Sequence, residues 1–177
     1  MPDVELATVL RDALHMAHWI LDGTMADVTD AIANREPGGK ANPIGACYMH
    51  VLFTEDGLLN RPKVRAQPPL FESSWSDRTG ADQLEPKWGQ GDLGAWYHSV
   101  KVDIGRAREY GQAVFQMSEE YVGRLSGSDL AREIDSGPLG NISLAAWIEI
   151  FLTGHTNTLT GEISAVKGMF GLKGYPF

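Results

Sequence analysis

The sequence predicts an all-α fold: a four-helix bundle with a long crossover loop between the second and third helices. Three observations lead there. Apolar residues recur at alternating steps of three and four along four separate stretches, no stretch alternates with the period of two that a half-buried strand requires, and clusters of Pro and Gly separate the stretches. The 177 residues, 43% of them hydrophobic and 21% charged, suit one domain spanning 1–177 with a sizeable core.

The first helix is predicted from about Val4 to Ile32, its stripe reading Leu14, His18, Leu21, Met25, Val28 and Ile32, and it ends before Pro37-Gly38-Gly39. The second opens at Asn42, which can cap it, with Pro43 in the first helical position where a missing N–H costs nothing. It runs through Ile44, Cys47, His50, Val51, Thr54 and Leu58 to about Asn60, and Arg61-Pro62 closes it. Residues 61–91 hold Pro62, Pro68, Pro69 and Pro86 and show neither periodicity; Trp75 and Trp88 are expected to pin this segment to the helices. Such crossovers join neighbouring helices that run parallel. The third helix spans about Leu93 to Leu125, with Tyr97, Val100, Ile104, Ala107, Gly111, Val114 and Tyr121 on its stripe. A polar connection follows from Ser126 to Gly140, and the fourth helix starts near Asn141 or Ser143 and reaches Lys167. Its stripe is Leu144, Ile148, Phe151, His155, Leu159, Glu162 and Val166.

Charge excludes some partners. The chain carries 15 Lys and Arg against 23 Asp and Glu, a net charge of -8, and its basic residues are scattered, so neither a nucleic-acid backbone nor an anionic membrane surface is an expected partner. No run approaches the roughly 20 apolar residues that span a bilayer, and the N-terminal residues lack the pattern of a secretory signal. The single Cys47 agrees with a reducing, cytoplasmic location.

Most short motifs reduce to structure. Gly89-Gln90-Gly91-Asp92-Leu93-Gly94 matches GxGxxG literally but follows Pro86-Lys87-Trp88 in place of a strand, which speaks against dinucleotide binding. Pro37-Gly38-Gly39-Lys40 reads as a turn, Cys47 as an inert buried thiol, and Ser118-Glu119-Glu120 as a solvated helix face. Trp19, Trp75, Trp88, Trp96 and Trp147 can line an apolar pocket, although core and loop anchoring is the simpler expectation.

The informative feature is polar residues on core-facing stripes. His155 lies between Phe151 and Leu159, Glu162 follows on the same face, and His50 sits one turn beyond Cys47. A buried imidazole needs either hydrogen bonds or a metal, and bundles build metal sites from side chains that converge from facing helices.

The stretches HMAHWILDGTMADVT (His15 to Thr29), NPIGACYMHVLFTEDGLLN (Asn42 to Asn60) and HTNTLTGEISAVKGMFGLKGYPF (His155 to Phe177) resemble the first, second and last helices of DinB/YfiT-like proteins. Helix order and length match over most of the chain; residues 61–91 match only as a long crossover. The resemblance implies a divalent metal, zinc or nickel, held by one histidine on the second helix and two, four residues apart, on the last. His50 and His155 fill two of these positions, and Leu159 stands at the third. An aliphatic side chain supplies no lone pair, so the site is expected to be lost or weakened. Glu162, Cys47 and His18 are the nearby groups that can substitute, none at a recognised spacing. The resemblance further implies a metal-dependent transferase or isomerase that uses a low-molecular-weight thiol, and a homodimer. The alternative is a non-catalytic bundle that binds a small-molecule ligand without metal.

Overall fold

The computed structural model describes residues 5–87, 89–137 and 139–177. The predicted helix start at Val4 and the anchor Trp88 lie outside them. The chain is mostly helical, as its periodicity requires.

Helix α1 spans Leu6–Met25 and buries Leu10, Leu14, Ala17, His18, Leu21 and Met25 along one face. The predicted continuation to Ile32 does not occur. Instead a short α2, Asp30–Ala33, follows a turn, with the Thr29 hydroxyl accepting the Ile32 N–H. Tertiary hydrogen bonds favour the break: Asp30 accepts the Ile104 N–H, and the Asn34 amide both donates to and accepts from the Val102 backbone.

Helix α3, Ile44–Leu59, is buried on nearly all sides. Pro43 precedes it, and the Asn42 amide, expected to cap it, reaches across to Glu162 at 2.9 Å. The connection that follows is tied down by Asp56. This fully buried carboxylate accepts the Leu70 and Phe71 N–H groups at 2.9 and 3.0 Å and the Tyr110 hydroxyl at 2.8 Å. Trp75 packs on Tyr110 with ring centroids 5.8 Å apart, as an anchor should. Gly80, at φ +91, sits where a Cβ would collide with the Ala107 amide, so only glycine fits there.

The predicted third helix is two. Helix α4, Leu93–Ser99, and helix α5, Ile104–Gly123, are separated by an extended stretch in which Val102 bridges Ala81. Neither Gly nor Pro marks this break. It follows from Asp103, whose side chain caps α5 at the Arg106 N–H, and from the Val102 backbone being taken by Asn34. The polar connection is also more ordered than expected. It contains α6, Gly127–Ala131, with a Ser126/Asp129 capping box, and a short antiparallel pair, β1 Glu133–Asp135 with β2 Asn141–Ser143. Three-residue strands are too short to show a period of two, so residue spacing does not announce them. The last helical run comprises α7, Leu144–Ile148, a π-helical segment, Glu149–Gly154, and α8, His155–Met169.

The long helices pack in a ring, α1 and α3 each against both α5 and α8. Along α3 and α5 the facing positions rise together: Gly45 with Val102, Leu52 with Gly111, Asn60 with Met117. These two therefore run parallel, and the chain between them must travel back along their length. Facing positions on α3 and α8 run oppositely, Asn42 with Glu162 and His50 with His155.

Two apolar clusters form the core. One holds Leu21, Met25, Leu52, Phe115, Leu159 and Ile163, the other Leu10, Leu14, Leu59, Val122, Trp147 and Leu152. On each long helix the change from one cluster to the other falls at buried polar residues: His18 on α1, Glu55 on α3, Ser118 on α5, Thr153 and Thr156 on the last run.

Candidate functional site

The structure brings His50 and His155 together. Their Nε2 atoms lie 3.3 Å apart, with ring centroids at 5.0 Å and planes 69° apart. His50 projects from the middle of α3. His155 is the first residue of α8, directly after the π-helical segment, and π turns shift the face that the following residues present. Glu85, from the connection between α3 and α4, accepts the His50 Nδ1–H at 2.9 Å. A carboxylate can only accept, so His50 carries a proton on Nδ1. At the other end of the ring, one of the two Nε2 atoms donates to the other. Burial, with His50 beside it, lowers the His155 pKa to about 4, so His155 is neutral at pH 7.

Two turns further along α8, Glu162 accepts from the Asn42 amide at 2.9 Å and from the Cys47 thiol at 3.6 Å. Burial and then Glu162 push the Cys47 thiol far up, as the expected inert thiol requires. Tyr97 lies 5.5 Å from the His50 ring, centroid to centroid. Its hydroxyl is pushed well up by burial, with Cys47, Glu85 and Glu162 adding to the effect. Leu159 is buried at 7% exposure.

These residues were tested as a metal centre by their donors. Tetrahedral zinc, with Zn–N of about 2.0–2.1 Å, sets two nitrogens about 3.3 Å apart, which suits the two imidazoles. No third donor accompanies them. Leu159 has none to offer, Glu162 is engaged with Asn42 and Cys47, and Glu85 binds the outer nitrogen of His50. Among the described residues, no group of three or more His, Cys, Asp or Glu side chains is placed to hold a metal. The residues present do not fit a three-histidine centre.

His18, a possible substitute ligand in the sequence reading, is committed elsewhere. Its Nδ1 lies 2.7 Å from Glu119 and its Nε2 3.1 Å from Glu55, and its ring stacks on Phe115 at 4.0 Å. Both partners only accept, so both nitrogens are protonated. Burial alone would lower the His18 pKa, but Glu55 and Glu119 outweigh it and raise it to about 9. Ser118 donates to Glu55 from a fully buried position, and the exposed His15 approaches Glu119 at 3.0 Å. The solvated face predicted for Ser118-Glu119-Glu120 holds only for Glu120, which pairs with Arg124 at 2.9 Å. A signal for this cluster was present in the sequence: Val51-Glu55-Leu59 and Val114-Ser118-Val122 each put a polar residue on an apolar i, i+4 row. Glu85 gave no such signal, lying in an aperiodic segment.

Among the described residues, the tryptophans do not converge on one pocket. Trp96 and Trp147 are core residues of different clusters, and Trp19, 53% exposed, stacks on Phe177. A groove of about 560 Å³ between the connection and α5, lined by Arg65, Trp75, Met117 and Tyr121 among others, holds none of the candidate residues.

The comparisons with known proteins bear on the family and the fold. The DinB superfamily model matches residues 13–157, a span that takes in His50 and His155 but stops short of Leu159. The crystal structure of a conserved protein from Enterococcus faecalis superposes with a TM-score of 0.79, covering 94% of this chain and 98% of that one. At 15% identity that likeness shows the fold alone. No curated protein matches significantly. With the family model covering most of its length, the chain belongs to the DinB superfamily.

Proposed function

We propose that this DinB-superfamily chain is a single-domain four-helix bundle, with residues 60–92 as its crossover, that binds a small molecule at the His50–His155 seam without the family's three-histidine metal chemistry. The observation that carries this reading is the closed hydrogen-bond chain Glu85···His50···His155, at 2.9 and 3.3 Å. It gives His50 a partner at each ring nitrogen and His155 one at Nε2 with no ion, while Leu159 occupies the third ligand position. His50, His155, Glu85, Glu162 and Asn42 are all half-buried, so a ligand can reach their polar atoms from solvent.

One observation favours a second reading, a metal-dependent transferase or isomerase that uses a low-molecular-weight thiol. The 3.3 Å Nε2 separation equals that of two ligands on one tetrahedral ion. Elemental analysis of wild type beside Leu159→His, each after reconstitution with zinc or nickel, separates the two. The proposal expects little metal in wild type and occupancy rising towards one ion per chain in the variant. One tightly held ion per wild-type chain would sink it, and near-zero occupancy in both proteins would mean that the ligand positions are misassigned.

Two further expectations belong to the proposal. A reducing cytoplasm suits the buried, unpaired Cys47. Among the described residues no helix is long and apolar enough to cross a membrane. A homodimer would find its best surface on α1, where Leu6, Val9, Met16 and Trp19 are about half exposed. Light scattering on the eluting protein tests that point.

A further inference from the structure

The groove of about 560 Å³ between the long connection and α5 takes no part in the proposed function, yet it has the size of a small-molecule site. Leu70, Trp75, Met117 and Leu125 give it apolar walls, and Tyr121 adds an aromatic ring. Arg65 lines it too, half-buried, with its guanidinium 6.0 Å from the centre of the Tyr121 ring. The Arg65 Nη1 donates to the Asn60 Oδ1 at 2.6 Å, its one side-chain hydrogen bond among the described residues. A guanidinium carries five N–H donors, so most of them remain unspent. Asn60 is itself only 4% exposed, and its amide is held by the Asp56 carbonyl at 2.9 Å and carboxylate at 2.8 Å. The backbone fixes the same place. The Arg65 N–H donates to the Leu59 carbonyl at 3.2 Å and the Ala66 N–H to the Arg61 carbonyl at 3.0 Å. Ala66 sits at φ +54, a left-handed conformation that is costly for any residue but glycine.

No carboxylate lies within ion-pair distance of Arg65 among the described residues. Glu120, on the rim, pairs with Arg124 at 2.9 Å. The Asp56 carboxylate behind the groove is occupied by the Leu70 and Phe71 N–H groups, the Tyr110 hydroxyl and Asn60. Arg61 and Lys63 stand on the same short segment, and Arg132 donates to the Lys63 carbonyl at 2.8 Å. Positive charge thus gathers at one end of a chain whose net charge is -8. A guanidinium keeps its proton throughout the physiological range, so this cation does not depend on a titration. Held in place and unpaired beside apolar walls, it favours a ligand with a carboxylate at one end and a flat apolar body. We infer that the groove takes a small aromatic carboxylate, its oxygens on the Arg65 guanidinium and its ring among Leu70, Trp75 and Met117. A single negative charge suits the balance, because Glu120 would repel the second charge of a phosphate or a dicarboxylate. An ammonium ion would meet the like charges of Arg65 and Arg124.

The test uses three probes of one shape and different charge, cinnamate, cinnamyl alcohol and cinnamylammonium, titrated calorimetrically into the full chain at pH 7. Cinnamate should bind, with cinnamyl alcohol at least tenfold weaker and cinnamylammonium silent. Arg65→Met keeps the packing of the stem and removes the charge. It should weaken cinnamate at least tenfold while the melting temperature stays close to wild type. Arg65→Lys should fall between, since it keeps the charge without the planar fork. Ala113→Phe fills the groove from α5 and should abolish binding with Arg65 still present, so the test survives even if Arg65→Met disturbs the fold. His155→Phe should leave cinnamate binding unchanged. Binding of no probe overturns the inference, as does equal binding of all three. Cinnamate binding that Arg65→Met and Ala113→Phe both leave intact overturns it as well. If His155→Phe alone removes that binding, the ligand lies at the seam; the inference falls and the proposed function stands. A tightly held zinc ion at the seam would sink the proposed function and leave this groove untouched.

Discussion

His18 and His155 are both withdrawn from water, yet the pKa of the first rises to about 9 and that of the second falls to about 4. Burial acts on both in the same direction, against the charged form. The difference lies in what faces the ring. His18 meets a carboxylate at each nitrogen, Glu55 from α3 and Glu119 from α5. His155 meets another imidazole, and the carboxylate that could have charged the pair, Glu85, is one residue removed, on the far side of His50. The first centre is a structural ion pair that closes the interior between three helices. The second is a half-buried pair in which His155 is neutral and both rings remain within reach of solvent, which is why function is assigned to it and not to the closed ion pair.

The comparison breaks most visibly if His18 is removed. His18→Ala would leave Glu55, 1% exposed, without its cation. Stranding a buried charge costs about 3–5 kcal/mol, which for a chain of this size lowers the melting temperature by roughly 6–20 °C. A loss below about 1 kcal/mol would show that no ion pair exists there. Next in size is the dependence on pH. His18 has a raised pKa, so its support is complete below the ordinary value of 6.5 and is lost as pH climbs through about 9. Its share is on the order of 3 kcal/mol. His155 has a lowered pKa, so its support is complete above 6.5 and is lost as pH falls through about 4. Stability measured by urea unfolding should therefore decline on both sides of a maximum near neutrality. His18→Gln should flatten the alkaline limb and His155→Gln the acid limb; limbs that respond to the opposite variant would reverse the assignment of charge.

A smaller effect is expected at Glu119, which its hydrogen bond to His18 holds below the ordinary carboxylate range despite partial burial. Glu119→Gln keeps an acceptor and removes the charge, costing about 1 kcal/mol and lowering the His18 titration midpoint seen by NMR. An unmoved midpoint would leave Glu55 as the sole source of the shift. The smallest concerns Thr156, whose buried hydroxyl has no partner. Thr156→Val should be neutral or stabilising by up to about 1 kcal/mol. A clear loss of stability would reveal a bound water that the hydroxyl serves.

How much of this was legible beforehand differs by residue. Leu14, Leu21, Met25, Ala107, Val114 and Ile148 announce their buried faces through spacing alone, and the structure buries all of them. The pairing of His50 with His155 is expected from the family resemblance and from both lying on core stripes, and the structure sets their Nε2 atoms 3.3 Å apart. Glu119 was misread because acidic residues usually face solvent, and only its distant partner on α1 makes the exception. The break between α4 and α5 was invisible because its cause, the Asn34 amide, lies 68 residues away in the chain.

The sequence by itself determined the helical class, the four apolar stripes and the family, because these depend on side chains three and four residues apart or on local motifs. Tertiary structure alone decided where the helices break, which imidazole is charged, and that Glu85 holds His50. Each of those outcomes depends on a hydrogen bond or charge brought from a distant segment, and in a buried setting one such partner outweighs every local preference.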